Sequence, residues 1–163
     1  MRSSGLFLLA TLIVSLTGCG SNEDRLRNIV REEIANATMQ RTIIKPVNVI
    51  GPYSPAVKIG RFLFVSGQIA LDSAGTLKNE NIEAETRQVL ANLDLVLKSA
   101  GYDASHAVSA TVYLKNINDY QKVNQIYGGY FQEGAYPARV TVEVSALPRG
   151  ANVEIAVVAA KPL

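Results

Sequence analysis

Cysteine, histidine and tryptophan are almost missing from this 163-residue chain, at one, one and none. A lone cysteine forms no internal disulfide, and one cysteine with one histidine does not build an ordinary Cys/His zinc site. Any Ser-His-Asp triad would have to run through His106. Charge of one sign is also scarce: 16 basic against 14 acidic side chains leave a formal net charge of +2. That is no electrostatic footprint for a nucleic acid and no acidic tail. There is no phosphate-binding glycine loop, no dinucleotide fingerprint and no run of metal-ligand spacing. Chemistry is left to Arg, Glu, hydroxyls, backbone groups and water. Folding is better supplied, because 48% apolar and 18% charged residues suit one domain with a sizeable core.

The N-terminus reads as an address. Arg2 precedes residues 6–14 (LFLLATLIV), an apolar run too short to span a bilayer and of the right size for a signal-peptide core. Leu16-Thr17-Gly18-Cys19 follows and resembles a bacterial lipobox. On that resemblance residues 1–18 are a discarded signal and Cys19 is the lipidated N-terminus, which accounts for the one cysteine without a catalytic thiol or a disulfide. Gly20 after it resembles the pattern of an outer-membrane destination, giving a lipid-anchored protein of the cell envelope on the periplasmic face. Residues 19–41 then form a tether. Leu26, Ile29, Val30, Ile34 and Ala37 fall near helical spacing within it, so it is a short amphipathic helix or a frayed stalk.

From Thr42 onward strands take over. Residues 43–44 and 56–59 are short strands broken by Pro46, Pro52 and Pro55, and Gly60-Arg61 turns into a third at 62–66. Asp72-Ser73-Ala74-Gly75 marks a loop. Ile82, Thr86, Val89, Leu90, Leu93, Val96, Leu97 and Ala100 repeat at helical spacing over five turns, with Asn79 as the expected cap, acids behind it and Gly101 as terminator. Residues 106–115 alternate, with Val108, Ala110, Val112 and Leu114 facing one way. Asp119 is expected to cap a second helix over 120–131. Residues 139–145 alternate with Val140, Val142 and Val144 inward, and 151–160 is a mostly buried last strand. The order β-β-β-α-β-α-β-β predicts an α+β fold with both helices on one face of a sheet. The other face stays open for a partner, and oligomerisation would bury it.

Three polar features interrupt the core pattern. Arg139 shares a strand face with Thr141 and Glu143. It either pairs with Glu143 or offers its planar fork to a carboxylate. Glu154 is a lone carboxylate in the run 152–160, either an edge-strand charge that resists aggregation or a general acid/base whose pKa burial raises. Gly51-Pro52-Tyr53-Ser54-Pro55 and Ser66-Gly67-Gln68-Ile69 are loop and strand-end segments rich in hydroxyls and backbone donors.

Taken together these residues resemble the RidA/YjgF family of enamine/imine deaminases over residues 42–163. The resemblance rests on Ile50-Gly51-Pro52-Tyr53, Val65-Ser66-Gly67-Gln68-Ile69, Thr86-Arg87-Gln88-Val89-Leu90-Ala91-Asn92, and the run 111–120 with Val123-Asn124. Pro137-Ala138-Arg139 followed by Leu147-Pro148 and Val153-Glu154-Ile155 is its most specific part. It implies a chorismate-mutase-like domain assembled as a homotrimer, with active sites between subunits. It implies imino and enamino acids as small-molecule substrates, 2-keto acids and ammonia as products, and no cofactor or metal. Arg139 would clamp the substrate carboxylate, and Glu154 would activate water and pass a proton to the leaving nitrogen. Tyr53, Ser66, Gly67, Asn124 and Thr141 would line the cleft, with Arg87 and Asn92 structural. Many members carry Cys where this chain has Thr141, so a thiol is lost there. The competing expectation is a non-catalytic trimer in the envelope that holds carboxylates or a partner in the same Arg139 cleft.

Overall fold

In this computed structural model residues 20–46 and 49–162 are described; residues 1–19, and with them Cys19 and the signal-like run, lie outside the described residues. The chain divides into two compact units, one ending at Met39 and the other beginning at Gln40. The first contains helix α1 (Gly20–Thr38), so this segment is helical rather than frayed. Arg27 and Glu23, one turn apart, pair on it at 2.8 Å. No helix among the described residues is long and apolar enough to cross a membrane.

The second unit contains β1 (Arg41–Ile44), β2 (Ala56–Ile59), β3 (Phe62–Gln68), α2 (Ile82–Ser99), β4 (Ala107–Leu114), α3 (Tyr120–Tyr130), β5 (Ala138–Glu143) and β6 (Val153–Ala160). This is the expected order of elements. The strands form one sheet, β1-β2-β3-β6-β4-β5. Neighbours are antiparallel except β4 and β5, which run parallel with α3 as their crossover. Gly60, at φ 56°, makes the turn that closes the β2–β3 hairpin.

Helix α2 supplies the largest apolar stripe. Val89, Leu93, Val96 and Leu97 are fully buried against the sheet, where they meet Leu63, Val112, Leu114, Val153 and Ile155. Val123 and Tyr127 of α3 join the same core. Burying a side chain of this size contributes about 1.5–3 kcal/mol. The helix begins at Asn81 rather than Asn79. Asn81 has extended backbone and its side-chain Oδ1 accepts from Ala84 N at 2.8 Å, an N-cap geometry that the exposed Asn79, two residues upstream, does not occupy. The end is as expected, with Gly101 at φ 78° and Tyr102 N donating to Leu97 O at 2.9 Å.

Three other expectations need correcting. Asp119 makes no side-chain cap, because a 3-10 turn (Ile117–Asp119) leads straight into α3 and Asn116 caps that turn instead. Val108 is exposed and Ala107 buried, because the β4–β6 register shifts between Ala107 and Ser109. Val140 and Val142 do not point into the helix-covered core. Arg139 lies opposite Ala110 and Thr141 opposite Val112, so Arg139 and Thr141 take the helix-covered side. The valines fall on the open face, where Val140 is 58% exposed. Phe62 and Phe64 are also exposed, and by register they lie on this same open face.

The cap assignment is testable by urea denaturation. Asn81→Ala lowers stability by about 1 kcal/mol, whereas Asn79→Ala stays within about 0.5 kcal/mol. Equal losses would contradict it.

Candidate active site

The centre of the sheet decides where Glu154 stands. β6 alternates strictly: Val153, Ile155, Val157 and Ala159 are buried on the helix side, and the residues between them face the other way. Glu154 lies opposite Tyr113 on that open face. Since β6 is an interior strand, Glu154 is not an edge charge. The antiparallel ladder with β3 shifts between Val65 and Gln68, and Gly67 falls in that irregularity. A Cβ at Gly67 would come within 1.8 Å of Glu154 Oε1, so the carboxyl occupies the space that any side chain there would need. Burial raises the pKa of Glu154 above its ordinary 4.5.

The loop before β2 completes this cleft. Ser66 Oγ donates to Ser54 O at 2.7 Å and Ser66 N to Pro55 O at 3.0 Å, which ties the segment around Tyr53 onto β3. Tyr53, Ser66, Gly67 and Glu154, with Ile50, Ile69 and Pro148, line a cleft of about 210 Å³. Asn92 supports it from α2. Its amide donates to Ile69 O at 2.9 Å and Leu71 O at 2.8 Å, which fixes the turn after β3. The structural role expected of Asn92 is thus accounted for. Arg87 lies apart, in the groove between α2 and α3.

Arg139 belongs to a second cluster on the helix-covered side of β5. Its guanidinium carbon sits 4.6 Å from the Tyr127 ring centroid and 5.6 Å from that of Tyr120. One nitrogen donates to Tyr120 Oη at 3.3 Å. Such cation–π contacts contribute about 0.5–1 kcal/mol each and orient the planar fork. The pairing with Glu143 does not form, because Glu143 accepts from Ile117 N at 2.8 Å instead. A hydrogen bond with Asn124, then the Arg139 charge, lowers the pKa of Tyr120 below 10.0. Burial pushes Tyr127 up to about 12, with Arg139 opposing. Thr141 lies two residues along β5 on the same side.

The expected site residues therefore fall into two groups. Tyr53, Ser66, Gly67 and Glu154 share a cleft; Arg139, Asn124 and Thr141 do not line it: by register Arg139 and Thr141 lie on the other side of the sheet, and Asn124 is on α3. Tyr120 and Tyr127 were not anticipated as partners of Arg139. Their seven-residue spacing, two turns on one helix face, was the available signal. Among the described residues no group of three His, Cys, Asp or Glu is placed to hold a metal ion.

A six-stranded α+β layer of this order, with a carboxyl seated over glycine near the sheet centre and an arginine fork on an outer strand, defines a class of small domains that display polar groups on both sides of one sheet. The sequence profile described as Endoribonuclease L-PSP matches residues 43–161. The chain belongs to that family, the RidA/YjgF family. It is 48% identical over 111 residues to the mouse protein named 2-iminobutanoate/2-iminopropanoate deaminase, covering 68% of this chain and 82% of that one. It is 40% identical over 135 residues to the human protein of the same name, covering 82% and 93%. The solved structure of the YjgF gene product of E. coli superposes with a TM-score of 0.69 at 32% identity, covering 74% of this chain and 99% of that one.

The close seat of Glu154 has a direct consequence. Gly67→Ala displaces the Glu154 side chain from Cγ outward and meets no backbone, so the fold survives. NMR titration of the variant gives a Glu154 midpoint lower than in the parent, because the carboxyl moves into solvent. An unchanged midpoint would mean the seat is not what raises it.

Proposed function

We propose that this chain hydrolyses reactive 2-enamino and 2-imino acids to 2-keto acids and ammonia, with no cofactor. The observation that carries the reading is the Glu154 carboxyl, seated over Gly67 and made a better proton holder by burial. The deaminase names of the mouse and human relatives support it. An iminium carbon is already electrophilic, so the protein needs to position it, supply water and move protons. Water adds to that carbon, a proton passes to nitrogen, and the C–N bond breaks to give the keto acid and ammonia. Glu154 takes the proton from water and returns it to the leaving nitrogen. Arg139, oriented by Tyr120 and Tyr127, holds the substrate carboxylate. Tyr53, Ser66, Gly67, Asn124 and Thr141 line the reacting space. The hydrolysis described uses no thiol, so Thr141 serves through its backbone.

Arg139 and Glu154 do not meet within one chain, so the reading includes a homotrimer in which the fork of one subunit faces the carboxyl of the next. The apolar open face carrying Phe62, Phe64, Val140 and Val142 supports this, because association buries it. A second reading is a carboxylate- or partner-binding trimer without turnover. The Arg139 cluster favours it, since that cluster is complete without Glu154.

The assay uses the purified full chain with imines generated from several amino acids by an amino-acid oxidase, following keto acid release. Arg139→Ala lowers kcat/KM about 100-fold or more, and Glu154→Gln lowers kcat by about 100- to 10,000-fold. The sign of the pH dependence follows from the raised pKa: Glu154 stays protonated to a higher pH than a free glutamate, so the acid limb of kcat has its midpoint above 4.5 and vanishes in Glu154→Gln. Carboxylate binding by calorimetry without turnover selects the second reading.

The reading also places the protein on a lipid at Cys19, on the periplasmic face of the outer membrane. The short apolar run at 6–14, the lone cysteine and Gly20 after it support that placement. Fractionation of a Gram-negative host finds the protein with membranes and Cys19→Ser in the soluble fraction. A parent chain that is soluble with residues 1–18 still attached would refute it.

A further inference from the structure

The proposed chemistry leaves one buried ionisable group unused. Glu85, in the first turn of α2, is fully buried, and among the described residues no Lys, Arg or His lies within ion-pair distance of it. A carboxyl in that position is expensive unless hydrogen bonds replace its lost water. Three donors do so, all from the approach to β6. Asn152 N donates to Oε1 at 2.7 Å, Asn152 Nδ2 to Oε2 at 2.9 Å, and Val153 N to Oε1 at 3.4 Å. On its other side, Asn152 accepts from Lys115 N through its carbonyl at 2.9 Å. Asn152 is therefore held by its N–H, its side chain and its C=O at once, immediately before the strand that carries Glu154.

The placement is informative because a helix needs no such group there. Asn81 already caps α2, and a first-turn acid serves the helix dipole equally well exposed. Both carboxyl oxygens are instead spent on two consecutive residues of another element. Val153 and Ile155, fully buried on either side of Glu154, pass that constraint along the strand. The seat over Gly67 tolerates little sliding of β6, since the carboxyl fills the space a Cβ would take.

We propose that Glu85 is a positioning residue for Glu154: its buried carboxyl pins Asn152 and Val153, which fixes the register of β6 and holds the Glu154 carboxyl over Gly67. The role in turnover rests on the deaminase reading above; the positioning of Glu154 does not.

The test compares the full chain with Glu85→Gln, which keeps the shape and one acceptor oxygen but removes the charge and sets an NH2 against Asn152 Nδ2, so that the Asn152 amide must turn over or lose its partner. Two measurements are made, the Glu154 carboxyl titration by carbon-13 NMR and the kinetics on imine substrates. The expected result is a Glu154 midpoint shifted down toward the ordinary glutamate value and kcat reduced about 10- to 100-fold, with KM, which reports Arg139, changed less than about threefold. Glu85→Asp, whose shorter reach keeps an acceptor but strains the contacts, gives an intermediate shift. A folded Glu85→Gln protein with an unmoved Glu154 titration and unchanged kcat would overturn the proposal, leaving Glu85 a stability element only. If Glu85→Gln does not fold, Asn152→Ala, which removes a single donor, decides the matter by the same titration, an unmoved midpoint again counting against it. A parent chain without turnover removes the deaminase reading, and the titration still decides the positioning role.

Discussion

Everything that matters in the domain is hung on the two-residue period of β6. Its odd-numbered residues are buried under the helices, and its even-numbered residues look the other way. The strand lies between β3 and β4, so its register is set from both sides and by core residues with no freedom to slip. A slip by one residue would turn Glu154 into the apolar layer and a valine out of it, exchanging an uncompensated buried charge for lost burial. The strength of the core and the placement of the carboxyl are therefore one property.

That dependence explains how a domain with no metal-ligand cluster among its described residues still has a carboxyl with a raised pKa. The tuning comes from position. A carboxyl partly withdrawn from water holds its proton more tightly, and the withdrawal here results from a missing side chain at Gly67 and a ladder irregularity beside it. Arg139 is handled in the opposite way, at the edge of the sheet. Aromatic rings from α3 support the guanidinium from the side and leave its remaining donors unspent. The interior strand carries a carboxyl whose environment its neighbours set, and the outer strand carries a guanidinium held by rings with donors to spare.

Much of this arrangement was legible in the residues. The long stripe of α2, the turn at Gly60 and the stop at Gly101 follow from periodicity and from glycine's access to positive φ. The segments around Ser66, Arg139 and Glu154 stood out because polar residues interrupt apolar runs there. The rest depended on pairing. Alternation in β5 says that Arg139 and Val140 face opposite ways and does not say which way is inward; the parallel register with β4 settles it. The exchange of Val108 for Ala107 comes from a register shift that no residue announces. Asn79 and Asn81 are equivalent as letters, and only the backbone at Asn81 lets the side chain reach Ala84 N. Glu85 looks like an ordinary acid near a helix start until the approach to β6 is seen to close over it.

The sheet order also says something about time. The strand at its centre is the last of the six to be synthesised, and it pairs Phe62 with Ala160 across almost the whole domain. Before β6 exists, the chain holds a three-strand piece and a separate β4–β5 pair, each lacking the neighbour that would cover its inner margin. Closing the ladder requires contacts between residues far apart in the chain, which are slow to form. The domain thus postpones its commitment to the folded state until its last strand is available to close the ladder.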